Sequence, residues 1–215
     1  MEKESVFVYI SAIRFERDLA KYDMFTMKSI IEEKLNLLKE KLKDGLISFK
    51  RYFSLRHNCD LIVLISSFET SAIFNFRLMI KNILLGLGYE DFSLLSLYKP
   101  SPYQKKVDLA SYLKLEPLRY FIAYPMKKTP DWYLIPFEER EEMMREHISI
   151  AVNHPKAKGI RSYTTYSFGI ADDEFVVIYE VPSLETWVEV VEKLREAKVR
   201  KWTLREEPVL VGENF

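Results

Sequence analysis

The chain has 215 residues, 48% of them hydrophobic and 14% aromatic, and its 32 basic residues balance 32 acidic ones. That length suits one large domain or two of about 100 residues, and the even charge gives no global footprint for nucleic acid or an anionic membrane. The single Cys59 excludes an intramolecular disulfide, Cys59 with His57, His147 and His154 is too small a set for a Cys/His zinc site, and the charged start with no long apolar run predicts a cytoplasmic chain without a membrane span.

Residues 6–13 are rich in β-branched and aromatic side chains and predict a strand. Residues 24–42 carry Met27, Ile30, Ile31, Leu35, Leu38 and Leu42 at helical spacing, closed by Asp44-Gly45. Two strand-like runs, 47–54 and 60–66, follow as a hairpin. A second helix opens at Glu69-Thr70-Ser71 and ends near Gly86 and Gly88, and 92–98 reads as a last strand.

After the Pro-punctuated stretch Lys99-Pro100-Ser101-Pro102-Tyr103-Gln104-Lys105-Lys106 the order begins again. Residues 118–124 predict a strand terminated by Pro125. Residues 137–152 predict a helix, with Pro136 before it and Glu138 and Glu139 in its first turn, where acidic groups suit free N–H donors. Residues 160–168 and 174–181 make a central pair of strands. Ser183 caps a helix with Leu184, Trp187, Val188, Val191 and Leu194 on one face, and 201–204 is expected to close the half as a strand.

The order β-α-β-β-α-β therefore occurs twice with a period of about 115 residues, too long for a solenoid and suited to a duplicated domain. The expected fold class is α+β: two fused ferredoxin-like repeats forming a dimeric α+β-barrel, because each repeat has one apolar sheet face to bury. The expected division is an N-terminal half over 1–98, a linker over 99–117 and a C-terminal half over 118–215.

Most residues with chemical potential lie in the second half. His147 shares a helix face with Met143, Met144 and Ala151. A lone histidine there is commonly a core residue with both nitrogens satisfied; the sharper alternative is a neutral imidazole acting as axial ligand to haem iron. Tyr124-Pro125-Met126-Lys127-Lys128 is either a plain strand end with a solvated lysine pair or a redox-active tyrosine beside an anion-binding Lys128. His57 reads as a turn residue, His154 as a helix-end residue and Asp172-Asp173-Glu174 as a solvated turn. No glycine-rich phosphate loop, HExxH, GxSxG or paired CxxC is present.

Taken in order, Tyr124-Pro125-Met126-Lys127-Lys128, Asp131-Trp132-Tyr133-Leu134-Ile135-Pro136, Glu139-Arg140 with Met143-Met144-Arg145-Glu146-His147, Ser167-Phe168-Gly169, Asp172-Asp173-Glu174-Phe175 and Arg205-Glu206-Glu207-Pro208 resemble the chlorite dismutase-like superfamily, which includes the coproheme decarboxylases. The resemblance is strong over residues 118–212 and topological in the first half. It implies a tetrapyrrole partner, haem b or coproheme, with His147 as the metal ligand and Lys128 and Ser162 among the cofactor-binding residues. It further implies that Tyr124 is catalytic, oxidised with peroxide to a radical that takes hydrogen from a propionate and releases CO2. A homo-oligomer, commonly a pentamer, is implied as well.

This sequence departs from the family on the distal side. Chlorite-degrading members carry an Arg, and many decarboxylases a Gln, at the position that counts to Ser162; neighbouring Arg161 faces the other way on a regular strand, unless an offset brings it round. The actinobacterial type uses a distal His upstream, where Asp108 is nearest here. Chlorite dismutation is therefore not expected, and coproheme decarboxylation is the leading expectation. The alternative is a non-catalytic haem-binding or assembly protein that retains the barrel.

Overall fold

The computed structural model describes residues 5–103 and 109–215; Gln104, Lys105, Lys106 and Asp108 lie outside the described residues. The first half runs β1 (Val6–Phe15), α1 (Met24–Leu42), β2 (Ser48–Ser54), β3 (Leu61–Ser67), α2 (Thr70–Ile83) and β4 (Gly88–Tyr98). After a short α3 (Leu109–Leu113), the second half runs β5 (Tyr120–Lys128), α4 (Phe137–Asn153), β6 (Arg161–Tyr166), β7 (Phe175–Val181), α5 (Leu184–Leu194), β8 (Thr203–Arg205) and β9 (Leu210–Asn214).

The local chemistry explains the helices. Asp23 accepts hydrogen bonds from the Phe25 and Thr26 N–H groups at the start of α1, and Ser183 accepts from Thr186 N at the start of α5. Each cap satisfies donors that the first turn leaves free. Ile31, Leu35, Leu38 and Leu42 of α1 and Ile73, Phe76 and Ile80 of α2 are buried in one cluster with the outward side chains of the first-half strands. Each such burial is worth at most about 1.5–3 kcal/mol.

The strands pair in the order β4-β1-β3-β2 in the first half and β9-β5-β7-β6 in the second, every pair antiparallel. β2 pairs with β9 and β4 with β6, so the two repeats join edge to edge and close an eight-stranded barrel. Closure removes the sheet edges that either repeat alone would expose. The barrel interior is one core drawn from both repeats, with Val8, Ile10, Ile62 and Leu64 facing Phe121, Tyr163, Ile178 and Leu210.

Two expectations need correction. The last strand of the second half is β9, not 201–204. Lys201 and Trp202 end a 3-10 turn, and β8 is a short spur that pairs with β5 alone. The reason is burial: Leu204 is exposed, whereas Leu210 is buried and Gly212 lies against Tyr52 of β2. The strand 118–124 also does not stop at Pro125 but continues to Lys128. Pairing with β9 has ended at Ala123, so the missing Pro125 N–H falls where only β7 flanks the strand.

Candidate functional site

The outer faces of the two repeats differ. In the first, α1 and α2 lie directly on the sheet. In the second, α4 contributes no buried residue; its Met143, Met144 and Ile150 pack on Trp132, Ala197 and Val199 instead. The helix therefore stands off β5, β6 and β7 and leaves a cavity of about 330 Å3. The segment before α3, from Tyr98 to Tyr103, forms another part of its wall, a contribution that a linker reading did not foresee.

Strand alternation decides what enters this cavity. On β5, Phe121 and Ala123 fill the barrel, while Tyr124, Met126 and Lys128 line the cavity. On β6, Tyr163 points into the barrel and Ser162 lines the cavity. Arg161 donates to the Glu116 carbonyl oxygen at 2.6 Å and lies 3.5 Å from the buried Glu180, so the distal-side candidate at the wall is Ser162.

His147 reaches the same cavity from α4. Burial, then the positive charges of Lys128 and Arg200, lower its pKa from 6.5 to about 4. The imidazole is thus neutral at physiological pH. Its Nδ1 is buried without a hydrogen-bond partner, an arrangement that leaves nitrogen donor capacity for a ligand.

Lys128 is 7% exposed, its Nζ 5.0 Å from the Trp132 ring centroid and 3.4 Å from Thr203 Oγ1. Burial and then Arg200 lower its pKa from 10.5 to about 8, against the pull of Glu206 and Glu174. Nearby, Glu206 accepts from both Arg195 and Arg200. Burial would raise the Glu206 carboxyl, but these two guanidinium groups outweigh it and hold the pKa below its ordinary value. Arg195 and Arg200 thus share a single carboxylate, whereas Lys128 has no ion-pair partner among the described residues.

Tyr124 and Tyr179 are diagonal neighbours on one face, since Tyr124 pairs with Val177 and Tyr179 with Ile122. Their ring centroids lie 6.4 Å apart, and both rings line the cavity together with Ser162. Burial first, and Tyr179 next, push the Tyr124 phenol well above its ordinary pKa. The Tyr179 ring lies 4.2 Å from Trp187 of α5. Tyr179 escaped the sequence reading because its neighbour is 55 positions away; the only signal was its place on the cavity-facing parity of β7.

The remaining polar residues of interest lie elsewhere. His57 is an exposed turn residue, and His154 Nδ1 accepts from Lys156 N. In the loop before β7, Asp173 pairs with Arg205, and Glu174 accepts from Lys128 N and Tyr133 OH. Together the cavity offers a nitrogen donor, a desolvated cation, two neighbouring phenols and several aromatic rings in its walls. Such a site can hold a flat apolar ligand with anionic substituents.

Residues 27–215 match the protein family described as chlorite dismutase. A coproheme decarboxylase from Mycolicibacterium smegmatis is 31% identical over 121 residues, which cover 56% of this chain and 51% of that protein, so the match spans about half the length of that relative. A crystal structure provisionally described as a chlorite dismutase is 39% identical, with a TM-score of 0.87 over 98% of this chain and 95% of that one. A chlorite dismutase variant from Candidatus Nitrospira defluvii, 21% identical, shares the fold with a TM-score of 0.81 over 98% of this chain and 91% of that one.

Proposed function

Because the chain belongs to the chlorite dismutase family, we propose that it is a haem- or coproheme-binding oxidoreductase whose reaction is the peroxide-dependent decarboxylation of coproheme. The carrying observation is the convergence of His147, Lys128 and Tyr124, from two elements, on one cavity. The residues present fit an iron tetrapyrrole: the unpartnered Nδ1 of His147 marks a neutral imidazole with spare donor capacity, and Lys128 is a buried cation with no carboxylate partner among the described residues.

In this reading His147 would hold the iron, because burial keeps its imidazole unprotonated at neutral pH. The Lys128 ammonium, protonated below about pH 8, receives a propionate. When bound, the iron porphyrin supplies with peroxide the oxidising chemistry. Tyr124 gives up an electron and its phenolic proton together, because its raised pKa forbids loss of the proton alone. Tyr124 would then be placed to take a hydrogen atom from a propionate held by Lys128; the second electron, set free as the carboxylate leaves as CO2 and the vinyl group forms, would pass to the peroxide-derived oxidant, which is reduced to water. Tyr179 packs beside Tyr124 on the cavity wall, 6.4 Å between ring centroids.

One observation favours a second reading, a non-catalytic haem-binding or assembly protein. The distal wall position carries the small Ser162, while the charge of Arg161 is engaged by Glu180 and the Glu116 carbonyl. The same engagement argues against chlorite dismutation.

Titration of the protein with coproheme is expected to give a Soret shift saturating at one equivalent per chain and lost in His147→Ala. Tyr124→Phe should then bind coproheme as tightly as the native chain and release no CO2 with peroxide. Binding without CO2 release by the native chain selects the non-catalytic reading, and unchanged spectra sink both. A cytoplasmic homo-oligomer, pentameric by family resemblance, belongs to the proposal. Phe74 and Leu78 of α2 and nearby Leu85 are 62%, 51% and 83% exposed and offer apolar surface for self-association, which light scattering would measure. No helix among the described residues is long and apolar enough to cross a membrane.

A further inference from the structure

Arg140 sits in the first turn of α4 and lines the same cavity. Its guanidinium carbon lies 5.8 Å from the Phe137 ring centroid, and Phe137 stacks on Tyr103 at 5.8 Å. The Arg140 Nε–H is buried and has no hydrogen-bond partner. No carboxylate among the described residues forms an ion pair with Arg140, whereas Arg195 and Arg200 share Glu206. Lys99, another cation at the cavity, is exposed and stands 4.8 Å from the Tyr166 ring, so water can satisfy it.

A guanidinium has only donors to offer, so an unpartnered N–H on the wall of a cavity calls for an acceptor. Lys128 ends β5 and Arg140 lies in the first turn of α4, so the two cations reach the cavity from different elements.

We propose that Arg140 is a second carboxylate receptor, so that the ligand is a tetrapyrrole gripped by its carboxylates at two separate places, Lys128 and Arg140. The inference rests on the tetrapyrrole reading and adds a specificity-determining residue to it. It also gives Arg140 opposite effects in the two states: its buried donor is a liability in the empty protein and an asset once a carboxylate arrives.

The test is a fluorescence titration of the 215-residue chain, purified without tetrapyrrole, with metal-free coproporphyrin III, which leaves any His147–metal bond out of the measurement. Native protein, Arg140→Met and Arg140→Lys are compared, together with their melting temperatures without ligand. Loss of one charge-assisted hydrogen bond should weaken binding of the Met variant about tenfold or more. The Lys variant should fall between, and the Met variant without ligand should melt no lower than the native chain. A Met variant that binds within about twofold of native would overturn the proposal. So would weaker binding accompanied by a matching fall in melting temperature, which would make Arg140 structural. A native chain that takes up neither coproporphyrin nor coproheme overturns the tetrapyrrole reading as well, whereas native binding with an indifferent Met variant overturns this inference alone.

Discussion

Lys50 Nζ lies 2.8 Å from Glu180 Oε2 inside the barrel, joining β2 of the first half to β7 of the second. Tyr52 and Tyr163 donate their hydroxyls to the same carboxylate at 3.1 and 2.9 Å, and Leu118 N donates at 3.3 Å. The carboxylate is thus surrounded by donors from both repeats, and burial is affordable only as a set: each member compensates the desolvation of the others.

Glu180→Leu should therefore be among the most damaging single changes, because it strands the Lys50 ammonium and two buried phenols. A loss of about 3–5 kcal/mol is expected in denaturant unfolding. Lys50→Met should cost less, since Glu180 keeps the two tyrosines, Leu118 N and Arg161. The double variant should recover part of the Glu180→Leu loss; additive losses would mean that the two side chains are not coupled.

His147 gives the unliganded protein an acid sensitivity. Its folded pKa of about 4 lies below the ordinary 6.5, so between those values the unfolded chain binds the extra proton. Stability should then fall as pH drops from 6.5 to 4, by about 1–3 kcal/mol after allowance for partial exposure. Unfolding free energies of the native chain and His147→Gln across that range check this; parallel curves would exclude His147 as the cause.

Ligand binding should show the opposite limb. Lys128 loses its proton near pH 8 in the empty cavity, and only the ammonium attracts a carboxylate. Coproheme affinity is expected to decline above that pH, by at most about tenfold per unit. Lys128→Met should bind more weakly at neutral pH and show no such decline, as a series of titrations from pH 7 to about 10 would reveal.

Gly212 marks the seam where β9 meets β2. A Cβ added there would sit 2.7 Å from Tyr52 Cβ and 3.1 Å from the Phe53 carbonyl oxygen, and neither atom is the end of a flexible chain. Gly212→Ala should cost about 1–3 kcal/mol, a fall of several degrees in melting temperature for a chain of this size. An unchanged melting temperature would mean that the seam is looser than this contact.

Some of this was legible in advance. The spacing of Met27, Ile31, Leu35 and Leu38 defines α1, with the bounds 24–42 that the structure has, and Ser183 announces α5. Period-two alternation puts Tyr124, Met126 and Lys128 on one face of β5 and separates Ser162 from Arg161 on β6. His147 shares its helix face with Met143 and Met144, which signals a face turned to the protein. The Arg140 donor was not legible, because an arginine in a charged helical turn looks solvated until the chain around it is placed.

Local residue order carries the periodicities: the type of most elements, the caps at Asp23 and Ser183, and which side chains share a face. Those are local quantities, set by backbone geometry over a few neighbouring residues. What each face meets depends on segments far apart in the chain. The tertiary structure chose 210–214 over 201–204 as the closing strand, sealed the barrel through β2–β9 and β4–β6, and held α4 off the sheet to open the cavity. It also brought Lys50 to Glu180 and Tyr124 to Tyr179 across long stretches of chain. Periodicity tells a strand which side to bury, but the partner is selected by packing and hydrogen bonding among distant segments, and that selection leaves no mark at any single position.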